Sequence, residues 1–139
     1  MKIKLLEEKD IANMQEILHD DDMIFNLDFL KNFLSCPNAY GFIASIENKI
    51  VGFAYAYSLL RPDGKTMFYL HSIGVLPAFQ NLGVGTKMMD YIVNFAKENK
   101  FSEVFVITDK ANNTACHVYE KTGFTNEIEN EVVYVNELK

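Results

Sequence analysis

Apolar residues along the chain change their spacing near residue 77. Before that point they gather in four short runs that are typical of strands, at 3–6, 40–46, 50–57 and 66–75. Asn48, between the second and third runs, suits the left-handed backbone of a hairpin turn. Pro62-Asp63-Gly64 marks the next turn, so the last three runs are expected to form an antiparallel meander.

Apolar residues spaced three or four apart predict helices in four places, at about 10–18, 27–34, 83–99 and 112–122. Asp10 is the expected N-cap of the first helix, and Gly123 is expected to end the last one. Two further strands are predicted at 101–108 and 132–135. Because the elements from 66 to 108 run strand, helix, strand, those two strands should pair in parallel. The sequence thus predicts an α+β fold with a mixed, mostly antiparallel sheet, as one domain over residues 1–139.

The composition is that of a folded protein, with 139 residues of which 49% are hydrophobic. No apolar run approaches the roughly 20 residues that cross a bilayer. The charged stretch at 7–10 leaves no room for the apolar region of a signal peptide. We therefore expect a cytoplasmic protein that does not enter a membrane.

The formal net charge is −6, and Arg61 is the only arginine. This balance counts against a nucleic-acid partner, which requires a basic surface, and it suits a cationic small molecule. The acidic segment 20–22 is interpreted as a solvated loop, and the acidic segment 127–131 as the exposed edge of a strand. The alternative is that these carboxylates attract a polycation. Cys36 and Cys116 have the spacing of neither a metal site nor a redox pair, so we expect both to be buried and no metal to be bound.

The turn between the strand at 66–75 and the helix at 83–99 has the composition of an anion-binding site. Gly83 and Gly85 have no side chains, which suits a tight turn of the backbone or the close approach of a ligand, and Thr86 adds a hydroxyl. The first amides of a helix lack intrahelical partners and carry partial positive charge, which a pyrophosphate would satisfy. The alternative is an ordinary helix start in which the glycines serve packing alone. Neither the P-loop pattern nor the dinucleotide pattern is present.

Two motifs in this half of the chain resemble those of the GNAT N-acetyltransferase superfamily. The first is QNLGVG at 80–85, which fits the family's acetyl-CoA-binding pattern of Arg or Gln, two residues, Gly, any residue, then Gly or Ala. The second is NNTACHVYEKTGF at 112–124, which is similar to the family's Asn-x-x-Ala-x-x-x-Tyr-x-x-x-Gly-Phe helix. Gln80 stands where Arg is commoner, so this contact would carry no charge. The resemblance covers nearly the whole chain.

The resemblance implies six to seven strands and about four helices, with two central strands that splay apart around the pantetheine of acetyl-CoA, the co-substrate. The exposed backbone at 73–75 would pair with the pantetheine, and the amides of about 82–86 would hold the pyrophosphate. The expected cofactor-binding residues are therefore Ile73, Gly74, Val75, Gln80, Asn81, Leu82, Gly83, Val84, Gly85, Thr86, Asn112 and Tyr119.

Tyr119 is the candidate general acid, because the resemblance places it beside the cofactor sulfur and a phenol can protonate a thiolate. Its helical spacing also fits a core tyrosine. His71 is the candidate general base or acceptor contact, with a structural histidine or a base acting through water as alternatives. Strict alternation puts Tyr69, His71 and Ile73 on one face of the strand and Ser72 on the other. Only one of His71 and Ser72 can then face the acceptor, unless a bulge intervenes.

The predicted activity is transfer of the acetyl group of acetyl-CoA to a primary amine of a small cationic acceptor, by direct attack in a ternary complex. The stretches 68–75 and 132–135 resemble the aminoglycoside 3-N-acetyltransferase group, which carries an Asp near the position of Ser72. The absence of that Asp counts against drug modification and leaves a polyamine-like acceptor open. A protein or peptide N-acetyltransferase and a noncatalytic acyl-CoA-binding module are the alternatives. A homodimer is also left open.

Overall fold

A mixed sheet of five strands forms the middle of the protein in the computed structural model, which describes residues 1–14, 17, 26–127 and 130–138. In spatial order the strands are β1 (Lys2–Leu5), β2 (Ala39–Ile46), β3 (Lys49–Leu60), β4 (Thr66–Val75) and β5 (Glu103–Val106). The first four pair in antiparallel fashion, and β5 runs parallel to β4. The predicted α+β class, meander and parallel pair are confirmed.

The turns between strands follow the residues that permit a left-handed backbone. Glu47 and Asn48 have φ angles of 51° and 66°, so the β2–β3 hairpin has the two-residue loop with two positive φ angles that suits the twist of its strands. Gly64 has a φ of 84° in the β3–β4 turn. Both predicted turns are confirmed, with Glu47 sharing the strained conformation that we assigned to Asn48.

Three α-helices occur in the described residues: α1 (Leu27–Ser35), α2 (Val84–Glu98) and α3 (Asn113–Lys121). Each overlaps a predicted helix and differs from it by one or two residues at the ends. Short 3-10 helices lie at Glu8–Asn13 and Pro77–Phe79. None of the helices described is long and apolar enough to cross a membrane.

The prediction that Asp10 caps the first helix is wrong in detail. Glu7 is the N-cap, and Asp10 lies three residues later, where its carboxylate accepts a hydrogen bond of 3.0 Å from the Glu7 amide. Asp10 also pairs with the Lys4 ammonium at 2.9 Å. The Asp10 side chain thus reaches backwards and joins the helix start to β1. Where the structure describes the predicted helix at 10–18, it forms the end of the 3-10 helix Glu8–Asn13. Residues 15, 16 and 18 of that prediction and the acidic run at 20–22 lie outside the described residues.

The sheet is covered on both faces. On one face, α2 and α3 pack over a core cluster that includes Phe42, Ala54, Phe68, Leu70 and Met88. On the other face, α1 and the first 3-10 helix cover a smaller cluster around Leu30 and Ile43. We refer to these as the α2 face and the α1 face.

Gly52 sets how closely α2 approaches the sheet. A Cβ added at Gly52 would lie 2.7 Å from the Met88 sulfur, so a larger residue would require the Met88 side chain to move. Val84, the first residue of α2, is buried in the same cluster. The N-terminus of α2 is therefore fixed against the end of the sheet where β4 finishes.

The predicted strand at 132–135 is wrong. Residues 130–138 form no helix or strand, and the side chains of Val132, Val133, Tyr134 and Val135 are 62–92% exposed. Strand propensity measures how well a side chain fits a paired and half-buried surface, and here the described chain supplies no such surface. The sheet therefore has five strands among the described residues, rather than six to seven. The strand predicted at 101–108 is also shorter, ending at Val106.

Cys36 was expected to be buried and is exposed at the end of α1, whereas Cys116 is partly buried on α3. Cys36 is the C-cap of α1, and its thiol lies 3.5 Å from the Asn32 carbonyl. Its position at a helix end, rather than on an apolar face, explains the exposure.

Candidate active site

The two parallel strands of the sheet separate part of the way along β4. They pair only where Met67–Leu70 faces Glu103–Val106. β4 continues to Val75, and over this stretch it stays paired with β3 on its other side. Among the described strands, none pairs with residues 71–75 on the β5 side. The β5 side of the β4 backbone is therefore unpaired beyond Leu70, and we call the space beside it the cleft.

The turn after β4 exposes the N-terminus of α2. Asn81 and Gly83 have left-handed φ angles of 64° and 80°, and Gly83 is the N-cap without a side chain to cap the helix. The first intrahelical bond runs from the Lys87 amide to the Gly83 carbonyl at 3.1 Å. The backbone amides of Val84, Gly85 and Thr86 come before that bond, so they have no hydrogen-bond acceptor within the helix. This geometry can receive an anion.

Space is available at three glycines around this turn. A Cβ added at Gly74, Gly83 or Gly85 would meet no atom within 4 Å. The glycines are therefore not required by packing, which was the alternative explanation for them. The left-handed φ angle at position 83 favours glycine there. Gly85 lies inside the helix, and its φ angle is not left-handed. The open space beside Gly85 lies at the start of α2, after the turn that follows β4.

Gln80 joins the turn to the end of β4. Its side-chain amide donates a hydrogen bond of 3.0 Å to the Val75 carbonyl. Leu82, two residues later, is 61% exposed. In this structure the Gln80 side chain therefore stabilises the turn, and the backbone of the turn remains the surface that is available to a ligand.

A β-bulge lies at His71. Tyr55 of β3 faces Ser72, but the next residue of β3, Ala56, faces Leu70, so His71 is the additional residue of β4. The bulge reverses the alternation that we predicted beyond this point. His71 and Ser72 both lie on the α1 face, whereas Ile73 packs against the core cluster of the α2 face. The assignment of Ile73 to the His71 face is therefore wrong, because the strict period of two ends at the bulge.

His71 lies within a group of aromatic rings on the α1 face. Its Nδ1 is 2.9 Å from the Tyr69 hydroxyl, and its ring is 5.1 Å from the Tyr55 ring and 6.4 Å from the Tyr57 ring. Phe33 of α1 meets Tyr55 and Tyr57 edge-on at 5.8 and 6.0 Å. We call the connected set the aromatic floor; its members are Phe33, Phe53, Tyr55, Tyr57, Tyr69, His71 and Phe105.

Tyr69 was expected on the same face as His71, whereas Tyr55 and Tyr57 were not expected near it. The signal was present as alternating aromatics at 53, 55 and 57 of β3, which share one face of the strand. The pairing of Tyr57 with Tyr69 across β3 and β4 could be recognised only from the register.

Tyr119 is fixed by the end of α3. Thr122 is the C-cap, Gly123 has a φ of 98°, and the Phe124 amide donates to the Tyr119 carbonyl at 3.0 Å, as in a Schellman motif. The motif brings the Phe124 ring to 6.0 Å from the Tyr119 ring. Tyr119 is half-buried against the core cluster of the α2 face. Burial raises the pKa of its phenol, and the nearby Cys116 thiol adds to the increase.

Asn112 caps α3. Its side-chain oxygen accepts a hydrogen bond of 3.1 Å from the Ala115 amide. Helix capping is therefore sufficient to explain why an asparagine occupies this position. Asn112 therefore has a structural role here, next to the expected role in cofactor binding.

The sequence matches known acetyltransferases. Residues 8–124 match the Acetyltransferase (GNAT) family. The chain is 30% identical over 98 residues to the probable N-acetyltransferase camello of Xenopus tropicalis, a match that covers 70% of this chain and 44% of that protein. It is 24% identical over 115 residues to N-alpha-acetyltransferase 50 of Danio rerio, covering 81% and 68%. The matched part is thus less than half of the first relative.

The structure is similar to a solved aminoglycoside acetyltransferase. That protein is meta-AAC0020, from an uncultured soil metagenomic sample, in complex with sisomicin. It superposes with a TM-score of 0.85 at 30% sequence identity. The alignment covers 99% of this chain and 96% of that one. The fold found here is therefore shared along almost the full length of that protein.

Proposed function

The chain belongs to the GNAT acetyltransferase family, and on that premise we propose that it transfers the acetyl group of acetyl-CoA to a primary amine. The observation that supports the proposal best is the cleft along β4, which begins where the β4–β5 ladder ends at Leu70 and runs toward the uncapped start of α2. An unpaired strand edge and an anion-binding helix end are the two surfaces that an extended pyrophosphate ligand needs.

The residues around the cleft fit acetyl-CoA. The backbone amides at 83–86 suit its pyrophosphate, because they lack intrahelical acceptors and Gly83 and Gly85 leave open space beside them. The edge of β4 at Ile73, Gly74 and Val75 suits an amide-bearing arm that pairs as an added strand would. Gln80 supports this arrangement by holding the turn to Val75.

Acetyl-CoA supplies an activated thioester carbonyl, and the side chains of this protein supply proton transfers. The amine nitrogen forms the new C–N bond while the C–S bond breaks. Tyr119 donates its phenolic proton to the departing thiolate; its raised pKa keeps it protonated at neutral pH. His71, on the opposite face of the sheet, takes a proton from the nitrogen. We place the reacting bond at the unpaired part of β4 beyond Leu70, between these two groups on opposite faces of the sheet.

The acceptor is proposed to be a small cationic amine. The net charge of −6 and the likeness to an aminoglycoside acetyltransferase both support this class. A protein N-terminus is the second candidate, supported by the likeness to N-alpha-acetyltransferase 50.

Thiol release from acetyl-CoA tests the proposal directly. We expect release that depends on an added amine, across a panel of aminoglycosides, polyamines, amino acids and short peptides, and an acetylated product detected by mass spectrometry. Release that no amine stimulates, with acetyl-CoA bound, would instead identify a noncatalytic acyl-CoA-binding module. The preferred member of the panel would decide between a small amine and a peptide.

A further inference from the structure

We propose that the aromatic floor binds an ammonium group of the acceptor through cation–π contacts, and that the acceptor carries a second amine, which is the one acetylated. This inference rests on the proposed function, since it names the chemistry by which the same site selects its acceptor. The net charge had suggested that carboxylates bind the acceptor; in this proposal the faces of aromatic rings bind it instead.

The floor is continuous across three strands. Tyr55 and Tyr57 of β3 meet His71 of β4, and Tyr69 of β4 stacks on Phe105 of β5 at 4.9 Å between ring centroids. The three tyrosines are partly exposed and His71 is exposed, so their rings are accessible from the α1 face. Phe33 forms one side wall from α1. A cation on this floor would be attracted to the ring faces that it meets, because the faces carry partial negative charge and the edges partial positive charge.

Carboxylates are absent from the strands that carry most of the floor. β3 and β4 are fully described, and neither contains Asp or Glu. The attractive partners that these two strands offer a cationic group are therefore π faces and phenolic oxygens. Cation–π contacts favour tyrosine faces and become stronger where water is excluded. Burial raises the pKa of Tyr55, and the neighbouring phenols of Tyr57 and Tyr69 add to the increase, which favours the neutral form of the Tyr55 phenol.

The floor lies where the acceptor of the proposed reaction must enter. His71 is both a member of the floor and the residue at which β4 begins to run without β5. A bound ammonium on Tyr55 and Tyr57 would therefore place a neighbouring amine of the same molecule beside His71. Such a neighbouring amine must be neutral to attack, and the fixed ammonium disfavours a second positive charge nearby, which lowers the pKa of the attacking group.

The test uses choline and its uncharged isostere 3,3-dimethylbutan-1-ol as probes. Both have the same shape, and choline has no N–H to acetylate, so binding is measured without turnover. Tyrosine fluorescence reports binding, because the chain contains no tryptophan to mask its seven tyrosines. Three variants are compared with wild type: Tyr57→Leu removes a ring of the floor, Tyr57→Phe keeps it, and Tyr134→Leu changes a tyrosine that is 92% exposed and distant in sequence from the floor.

We expect choline to bind at least fivefold more tightly than the alcohol. Tyr57→Leu should weaken choline binding about fivefold, while Tyr57→Phe and Tyr134→Leu stay within twofold of wild type. Equal affinities for the two probes, or an unchanged affinity in Tyr57→Leu, would overturn the proposal. If Tyr57→Leu fails to fold, the affinities of wild type and Tyr57→Phe for choline and for the alcohol are sufficient to test the proposal.

The acetyl-CoA-induced rise in Tm is measured on the same samples. A rise that persists while choline fails to bind rejects the aromatic floor and leaves the acetyltransferase proposal standing. Choline binding without any rise rejects the acetyl-CoA site and leaves the cation site standing. The two proposals therefore fail in different measurements.

Discussion

Substitution of Gly85 separates ligand binding from folding more cleanly than any other change at the start of α2. Gly85 is the second residue of the helix, its φ angle is not left-handed, and an added Cβ would contact nothing within 4 Å. A larger side chain should therefore fold without strain and occupy the space where we place the pyrophosphate. Gly83 lacks this property, since its φ of 80° strains any other residue.

The expected magnitudes follow from helix propensity and ligand linkage. Gly85→Ala and Gly85→Leu should each stabilise the free protein by about 0.5–1 kcal/mol, or roughly 2–4 °C in Tm for a chain of this size. Acetyl-CoA at about 100 times its Kd should stabilise wild type by about 2.7 kcal/mol. Gly85→Ala should retain most of that gain, because the family pattern accepts Gly or Ala here. Gly85→Leu should lose nearly all of it.

Differential scanning fluorimetry with and without acetyl-CoA measures both quantities. Asn94→Leu is the matched control, because Asn94 is an exposed residue of the same helix, more than two turns away. It should keep the full response to acetyl-CoA. A full response in Gly85→Leu would show that the pyrophosphate lies elsewhere. A Gly85→Leu protein that is less stable than wild type would show that the space beside Gly85 is not open.

Three further predictions concern other parts of the molecule. Tyr119→Phe should lower kcat by roughly 10²–10⁴-fold and leave the acetyl-CoA affinity within a few-fold, as steady-state kinetics and calorimetry would show; equal rates would leave Tyr119 as a packing residue. Burial alone would raise the pKa of Asp10, but hydrogen bonds from Lys4 and the Glu7 amide hold it below its ordinary value. The stability that this carboxylate contributes is therefore complete above about pH 4 and is lost as the pH falls further. In urea unfolding, Asp10→Asn should be less stable than wild type at pH 7 and should lose less stability in acid; an unchanged pH profile would contradict the ion pair. Ending the chain after residue 130 should change the free energy of unfolding by no more than about 0.5 kcal/mol, because Val132 to Val135 are exposed; a larger loss would mean that this segment packs in solution.

Local signals in the sequence were sufficient for most of the fold. The hairpin at Asn48, the limits of β4 and the Gly123 end of α3 depend on residues adjacent in the chain, and the structure reproduces them. The strand expected at 132–135 failed because strand formation needs a partner, and side-chain type cannot indicate whether one is available. The N-cap was predicted three positions too late, because both ends of this capping box, Glu7 and Asp10, are acidic residues.

The residues of the candidate site that the sequence indicates are those that lie within a linear motif. The glycines at 83 and 85 and the helix of Tyr119 are visible in order along the chain. The orientation of His71 depends on a bulge that adds one residue to β4 opposite β3, and this depends on the register of two strands. The aromatic floor likewise joins residues from α1, β3, β4 and β5, so it exists only once the sheet has formed.

Amine-dependent thiol release from acetyl-CoA tests most directly whether the protein transfers acetyl groups in the cleft beside β4. We expect release that rises with the concentration of a cationic amine, equals the amount of acetylated product, and falls by roughly 10²-fold or more in Tyr119→Phe. Thiol release that no amine in the panel raises above the rate without amine, in a protein that acetyl-CoA stabilises, would contradict it.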